Sequence, residues 1–466
     1  MKNNDSEILT LNKSDFIKLG GLYIIKQLDI KSALANYYIN KLPFIVDSNK
    51  LNEEFNLTEK TIELLKDKNN SSTFIKISEL LSHVLNIRES VKNIQKGIVA
   101  DDIELFNIKC FALIVENLSL LIKDFKLVDL PDLNSVVDIL DPEKTHIYSF
   151  YIYNAYSSEL TELRKQLSNT ENDSDLFQKS IEIEDQIRKG LIKKLKAHCT
   201  NILLALDLVS YLDILIAKSV LAIKLDLCKP EISDLKTSYT KIFNPEIKEL
   251  LKQQNKAYQL IDIKFDKCPN LITGINMGGK SVVLKTLALS QYLCQFGFFV
   301  PALKAEIAIV DKIMICMEDE QNYLEGLSSF AAEMKNVNKI IYEINRNSNI
   351  FILIDELART TNPTEGKAIV NAMLETLKEK NIRSFITTHY DDIFIKCRRL
   401  KVKGLKENAV ITENHTIEKC IDYSLIEDNG TSSPQEAIRI AEMLGVDKEF
   451  IEKTKYLLKY NNTNNI

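Results

Sequence analysis

The stretch that decides the fold is NLITGINMGGKSV, residues 270–282, which contains Gly274, Ile275, Asn276, Met277, Gly278, Gly279, Lys280, Ser281 and Val282. Its first four residues read as a buried strand, and the residues after 280 carry helical spacing. Between them, 274–281 fits the pattern G-x-x-x-x-G-K-[ST] in the context that gives the pattern meaning, strand before and helix after. Glycines let successive backbone N–H groups wrap around a phosphate, and a helix opening at Lys280 adds the positive end of its dipole. Lys280 is expected to reach the β- and γ-phosphates, and the Ser281 hydroxyl to coordinate Mg²⁺. The expected cradle runs from Gly274 to Val282 and holds ATP.

Working outward, two more apolar runs end in polar residues. IFILI at 350–354 is followed by Asp355 and Glu356, and RSFIT at 383–387 by Thr388, His389 and Tyr390. Strands alternating with helical patterns from about residue 235 predict a parallel α/β sheet. Ligands of such sheets lie at the carboxyl ends of the strands. Asp355 is expected to hold Mg²⁺, directly or through water. Glu356 is expected to orient or deprotonate an attacking water, since phosphoryl transfer depends mainly on positioning and charge neutralisation. His389 can sense the γ-phosphate or the water. GLSSF at 326–330 precedes another helical pattern, so Ser328 either meets an anion or caps a helix.

The first half reads differently. Before residue 97 its glycines are Gly20 and Gly21, and apolar side chains recur at helical spacing over 59–92, 102–126, 148–167 and about 174–226. The last pattern, some 50 residues, would be on the order of 75 Å long as one helix. It reads as a lever, paired with its predecessor through the polar turn LSNTENDSD and stopped by Pro230. The predicted division is an all-α core and lever domain over 1–235, a phosphate-loop ATPase domain over 236–405, and its C-terminal part with a helical element over 406–466.

Composition sets further bounds. The 466 residues are 45% hydrophobic, ample for packed domains. The net charge of −5 lends no support to a broad nucleic-acid-binding surface. The eight cysteines form no C-x-x-C pair and lie in apolar stretches, as buried thiols do. The first residues hold no apolar signal core, and no apolar run reaches the roughly 18 residues of a membrane span. A cytoplasmic location is expected.

Together these motifs resemble the ATPase domain of the MutS family, a branch of the ABC-type ATPases. TGINMGGKS resembles the family's TGPNMGGKS, with Ile275 in place of Pro. GLSSFAAEM resembles GRSTFMVEM, IDELARTTNPTEG resembles the acidic strand and the loop crossing the dimer interface, and TTHY matches the family's switch histidine. The resemblance covers about residues 240–460. It implies a homodimer with two composite ATP sites, in which Ser328 contacts the nucleotide of the partner subunit, and C-terminal helices that dimerise. It also places Tyr258 where the family often stacks a side chain on adenine, with a plain strand residue as the other reading. TTNPTEG and TTHYDD are closer to the second bacterial MutS subfamily, tied to recombination and ribosome rescue. No mismatch-reading domain is expected upstream of residue 50, where no F-x-E wedge occurs. Two functions follow from the resemblance. One is an ATPase moving lever arms on mismatched or branched DNA. The other is a remodelling ATPase that reactivates an adenosylcobalamin-dependent aminomutase.

Overall fold

A computed structural model describes residues 13–169, 173–274, 278–317, 329–347, 349–390, 393–406, 420–428 and 436–463. The chain forms two compact units. One is helical and comprises Leu28–Leu42 and Asn56–Ile223. The other comprises Met1–Gln27, Pro43–Phe55 and Lys224–Ile466. This interleaved division differs from the linear one expected at residue 235. The N-terminal segments fold with the α/β unit because their aromatic side chains have partners there. Phe16 and Phe44 meet Tyr292 and Phe296 edge-on, with ring centroids 5.7–6.0 Å apart. Ile45 also exchanges hydrogen bonds with Gln295, through backbone and side chain.

The helical unit is built around Asp102–Ile122. Asp101 caps that helix in a reciprocal box with Glu104, its carboxylate accepting the Glu104 N–H at 2.8 Å. The helix buries a nearly continuous apolar surface, Leu105 to Ile122, in the unit's main core. The lever pattern appears as Ser158–Asn169 and Ser174–Leu195, joined through a short 3₁₀ turn, Lys196–His198, to Cys199–Leu225. The helix expected from 148 starts only at Ser158. Before it, Tyr156 bonds the Ile139 carbonyl, and Asn154–Tyr156 forms a 3₁₀ turn. Arg164 pairs with Glu184 at 2.8 Å across the two lever helices. Asp102–Ile122 and Ser174–Leu225 are each long and apolar enough to cross a membrane, by length and composition alone. More than half of each apolar window is buried within the chain, as in core helices.

A buried ion pair lies inside this unit. The Lys109 ammonium donates to Tyr153 Oη at 2.8 Å and to the Ser149 carbonyl at 3.0 Å, and sits 3.1 Å from Asp141. Burial alone would push the Asp141 carboxyl up. The His146 N–H, the Lys109 ammonium and the Thr145 hydroxyl together hold it below its ordinary range. The network ties the loop after residue 140 to the central helix.

The other unit contains two sheets. Its strands are β1 Glu231–Ser233, β2 Thr237–Ile242, β3 Ile261–Phe265, β4 Pro269–Thr273, β5 Lys304–Ala308, β6 Lys312–Cys316, β7 Ile350–Ile354, β8 Arg383–Thr387, β9 Arg398–Leu405 and β10 Ile421–Glu427. The larger sheet has the order β10-β9-β4-β8-β7-β6, parallel except for the antiparallel edge strand β10. The smaller is mixed, β1-β5-β2-β3. Strands β7 and β8 are buried along their whole length, as a parallel sheet covered on both faces requires. Phe265 of β3, Phe351 and Phe385 form an aromatic cluster with centroids 4.8–6.3 Å apart. The expected strands at 270–273, 350–354 and 383–387 are β4, β7 and β8.

Removing one partner of a buried ion pair strands the other charge. Asp141→Ala is therefore expected to cost about 3–5 kcal/mol, read from the urea dependence of the helical circular dichroism. The Lys109→Met/Asp141→Ala double variant should recover part of that loss. A double variant no more stable than the single one would show that the stranded ammonium is not the cause.

Candidate functional site

Parallel pairing in the order β4-β8-β7 brings three strand ends to one edge of the sheet. Thr273 ends β4, Thr387 ends β8 and Ile354 ends β7. The groups expected from sequence follow those ends directly.

Gly274 has φ +122° and Gly279 φ +77°, conformations that glycine adopts without steric cost. A Cβ on Gly274 would also lie 3.3 Å from the Val402 side chain. Gly279 caps helix Lys280–Gln295, whose first turn closes with Val283 N–H donating to Gly279 O at 3.0 Å. The Val282 carbonyl accepts from the Thr286 hydroxyl at 2.6 Å. Ile275, Asn276 and Met277 lie outside the described residues, as does Ser328.

Lys280 is 2% exposed. Its ammonium donates to the Gly274 carbonyl at 2.8 Å and lies 3.7 Å from Glu356 Oε1. Burial pulls its pKa below the usual lysine value, against the pull of Glu356 and Asp355. Glu356 also pairs with Arg359 at 3.1 Å. Thr387 joins the two acids: its hydroxyl donates to Asp355 Oδ1 at 2.6 Å and accepts the Glu356 N–H at 2.8 Å. Glu356 and Ala358 have φ of 47° and 62°. Left-handed backbone of this kind costs a non-glycine residue of order 1–3 kcal/mol and concentrates at functional sites.

His389 is exposed at the same edge, its ring 4.3 Å from that of Tyr390. Ser281, the second residue of the Lys280 helix, is partly buried. Tyr258 is held by its hydroxyl, which accepts the Asn244 N–H at 3.0 Å and also engages Thr286; burial raises its pKa. Two contacts near the loop escape a reading of the sequence. Thr387 links the acids, and Tyr423 of β10 lies 3.4 Å from where a Cβ on Gly279 would stand. Gln259 fixes β10 there, bonding Asp422, Ser424 and the Tyr423 N–H at 2.8–2.9 Å. No motif marks Tyr423, because its place depends on strand pairing.

Among the described residues no group of three or more His, Cys, Asp or Glu side chains could hold a metal ion. Asp355 and the Ser281 hydroxyl offer two hard oxygen donors, a set that suits Mg²⁺ when phosphate and water oxygens complete the shell. The Lys280→Met variant tests whether the lysine is structural. Glu356 keeps Arg359 as partner, and a desolvated charge is removed. The thermal midpoint is expected to move by no more than about 4 °C, the equivalent of ~1 kcal/mol. A larger loss would make Lys280 a structural residue.

Residues 270–460 match the family model for MutS domain V. The chain is similar to the protein named endonuclease MutS2 of Caldanaerobacter subterraneus subsp. tengcongensis, at 28% identity over 323 residues, 67% of this chain and 39% of that protein. The protein of the same name from Fusobacterium nucleatum is 31% identical over 292 residues, 60% of this chain and 35% of that protein. That from Finegoldia magna is 33% identical over 253 residues, 54% of this chain and 31% of that protein. The chain thus spans less than two-fifths of the length of these relatives. Residues 270–460 of the chain are thus similar to MutS domain V.

Proposed function

We propose that this chain is a MutS-type ATPase that binds ATP at the Gly274 loop and hydrolyses it to drive a process on DNA. The observation that carries the reading is the Lys280 ammonium, buried between the Gly274 carbonyl and Glu356 at the carboxyl edge of a parallel sheet. Burial already disfavours its charge. The phosphates of ATP would supply the compensating anion, with the N–H groups of 274–281 wrapped around them. Ser281 and Asp355 would hold Mg²⁺. The ion, when bound, would neutralise charge on the β- and γ-phosphates. Glu356 orients the attacking water and takes its proton, and Arg359 beside it helps fix the carboxylate. His389 faces the same edge from β8 and reads the γ-phosphate. Tyr258, its hydroxyl held by the Asn244 N–H, and Tyr423, packed against Gly279, are the two rings offered to the base.

The active form in this reading is a homodimer in which Ser328 of one subunit completes the other's site. The helices Glu436–Met443 and Lys448–Thr463 and the turn between them expose Leu444, Phe450, Tyr456 and Leu457, apolar side chains suited to a helical dimerisation element. The named relatives give the aminomutase-reactivating alternative no support, and it is not carried forward.

Steady-state ATP turnover by the purified chain tests the proposal. Turnover is expected. Glu356→Gln should reduce it about 10²–10⁴-fold, the range for loss of a general base, with ATP binding retained. Branched or mismatched DNA should stimulate the unaltered chain at ~50 mM salt and lose its effect by ~200 mM, as phosphate contacts do. Turnover that ignores DNA at both salts would sink the DNA half of the reading. Glu356→Gln with unaltered turnover would sink the assignment of the base.

Composite sites give a second expectation. Ser328→Ala and Lys280→Ala subunits should each be inactive alone. Mixed together they should regain activity, because one of the two sites in a mixed dimer joins an intact Lys280 to an intact Ser328. No regain under conditions where the subunits exchange would rule out a contribution in trans.

A further inference from the structure

The backbone of Ala358 is gripped from two sides. Its N–H donates to Glu333 Oε1 at 2.7 Å, and its carbonyl accepts the Tyr390 hydroxyl at 2.6 Å. Ala358 and Tyr390 are buried. Glu333 projects from helix Ser329–Ile344, about one turn from its start, while Tyr390 follows β8. The tyrosine reaches Ala358 only because residue 366 is glycine. A Cβ there would lie 2.3 Å from Tyr390 Oη and 2.6–2.9 Å from its ring carbons. Gly366 stands in helix Pro363–Glu379. A helix and a strand end therefore converge on one residue two beyond Glu356, and the third element leaves the tyrosine room to reach it.

That convergence has a target. Ala358 and Glu356 are both left-handed, at φ 62° and 47°. Unsupported, a chain of ordinary residues would leave this region of conformational space. The Thr387 hydroxyl anchors the Glu356 N–H at the near end. Glu333 and Tyr390 anchor the far end, and with both ends fixed the Glu356 side chain has one direction of departure, toward Lys280 and Arg359.

We infer that Glu333 and Tyr390 are positioning residues for hydrolysis, which clamp the Ala358 peptide and thereby aim the Glu356 carboxylate. The inference rests on the ATPase reading above. Neither residue touches the reacting atoms. Glu333 also connects the helix that directly follows the 326–328 stretch to the acidic loop through its hydrogen bond to the Ala358 N–H. A change in that helix's position is thus felt at Glu356.

The test separates aim from mere packing. Tyr390→Phe keeps the ring and removes the donor. Glu333→Gln keeps an acceptor at Oε1, and Glu333→Ala removes it. Tyr390→Phe and Glu333→Ala are expected to lower kcat at least tenfold with the ATP Kd within twofold, while Glu333→Gln retains most of the activity. Adding Ala358→Gly to Tyr390→Phe should restore part of kcat, because glycine holds a positive φ without support. Unchanged kcat in Tyr390→Phe, or equal losses in Glu333→Gln and Glu333→Ala, overturns the inference while the ATPase reading stands. If Glu333→Ala does not fold, Tyr390→Phe with and without Ala358→Gly decides alone. No turnover by the unaltered chain overturns both.

Discussion

Parallel pairing of β4, β8 and β7 is the constraint on which the site depends. Each strand contributes one group to the edge: the glycine loop, the Thr387–His389 turn and the acidic pair. Antiparallel pairing would send alternate groups to opposite edges. The parallel arrangement requires crossover helices on the faces, hence strands buried on both sides, hence the continuous apolar runs in the sequence. Composition, topology and site geometry follow from the same requirement.

Within that frame, backbone strain and hydrogen bonding are matched locally. The chain turns left-handed at Glu356 and Ala358, where β-strand conformation must give way abruptly. Thr387, Glu333 and Tyr390 each satisfy a backbone group of that turn. Thr387 has the further task of fixing Asp355. A threonine serves both acids because one hydroxyl donates and accepts at once. The neighbouring strand thus sets the relative orientation of two carboxylates that follow each other in sequence.

How much of this was legible in the sequence depended on whether the signal was local. The runs NLIT, IFILI and RSFIT announced β4, β7 and β8 because both faces of those strands are buried. TSYTKI and IDIKF, which became β2 and β3, interleave polar residues and carry too little apolar length to be distinguished from loops. The lever helices were visible through their spacing, although the stretch before Ser158 bonds Ile139 instead of continuing the helix. The interleaving of the two units was invisible. Phe16 and Phe44 find Tyr292 and Phe296 nearly 250 or more residues away, and no spacing rule links them. Tyr423 and Glu333 were hidden for the same reason. Their contacts with the loop and the acidic turn exist only after the strands have paired.

Two lysines show why burial alone does not identify a site. Lys109 and Lys280 are both almost wholly buried. Lys109 has a carboxylate at 3.1 Å, a phenol and a carbonyl around it, and Asp141 in turn is held below its ordinary range by several donors. Charge and hydrogen bonds close on themselves there, and the result is a rivet between a helix and a loop. At Lys280 the carboxylate is farther away and shared with Arg359, and burial outweighs the two acids to pull the ammonium pKa down. An anion entering beside Lys280 would relieve that imbalance, whereas one entering beside Lys109 would compete with Asp141. The difference lies in how the surrounding groups offset the buried charge, and the proposed ATP site draws on it at Lys280.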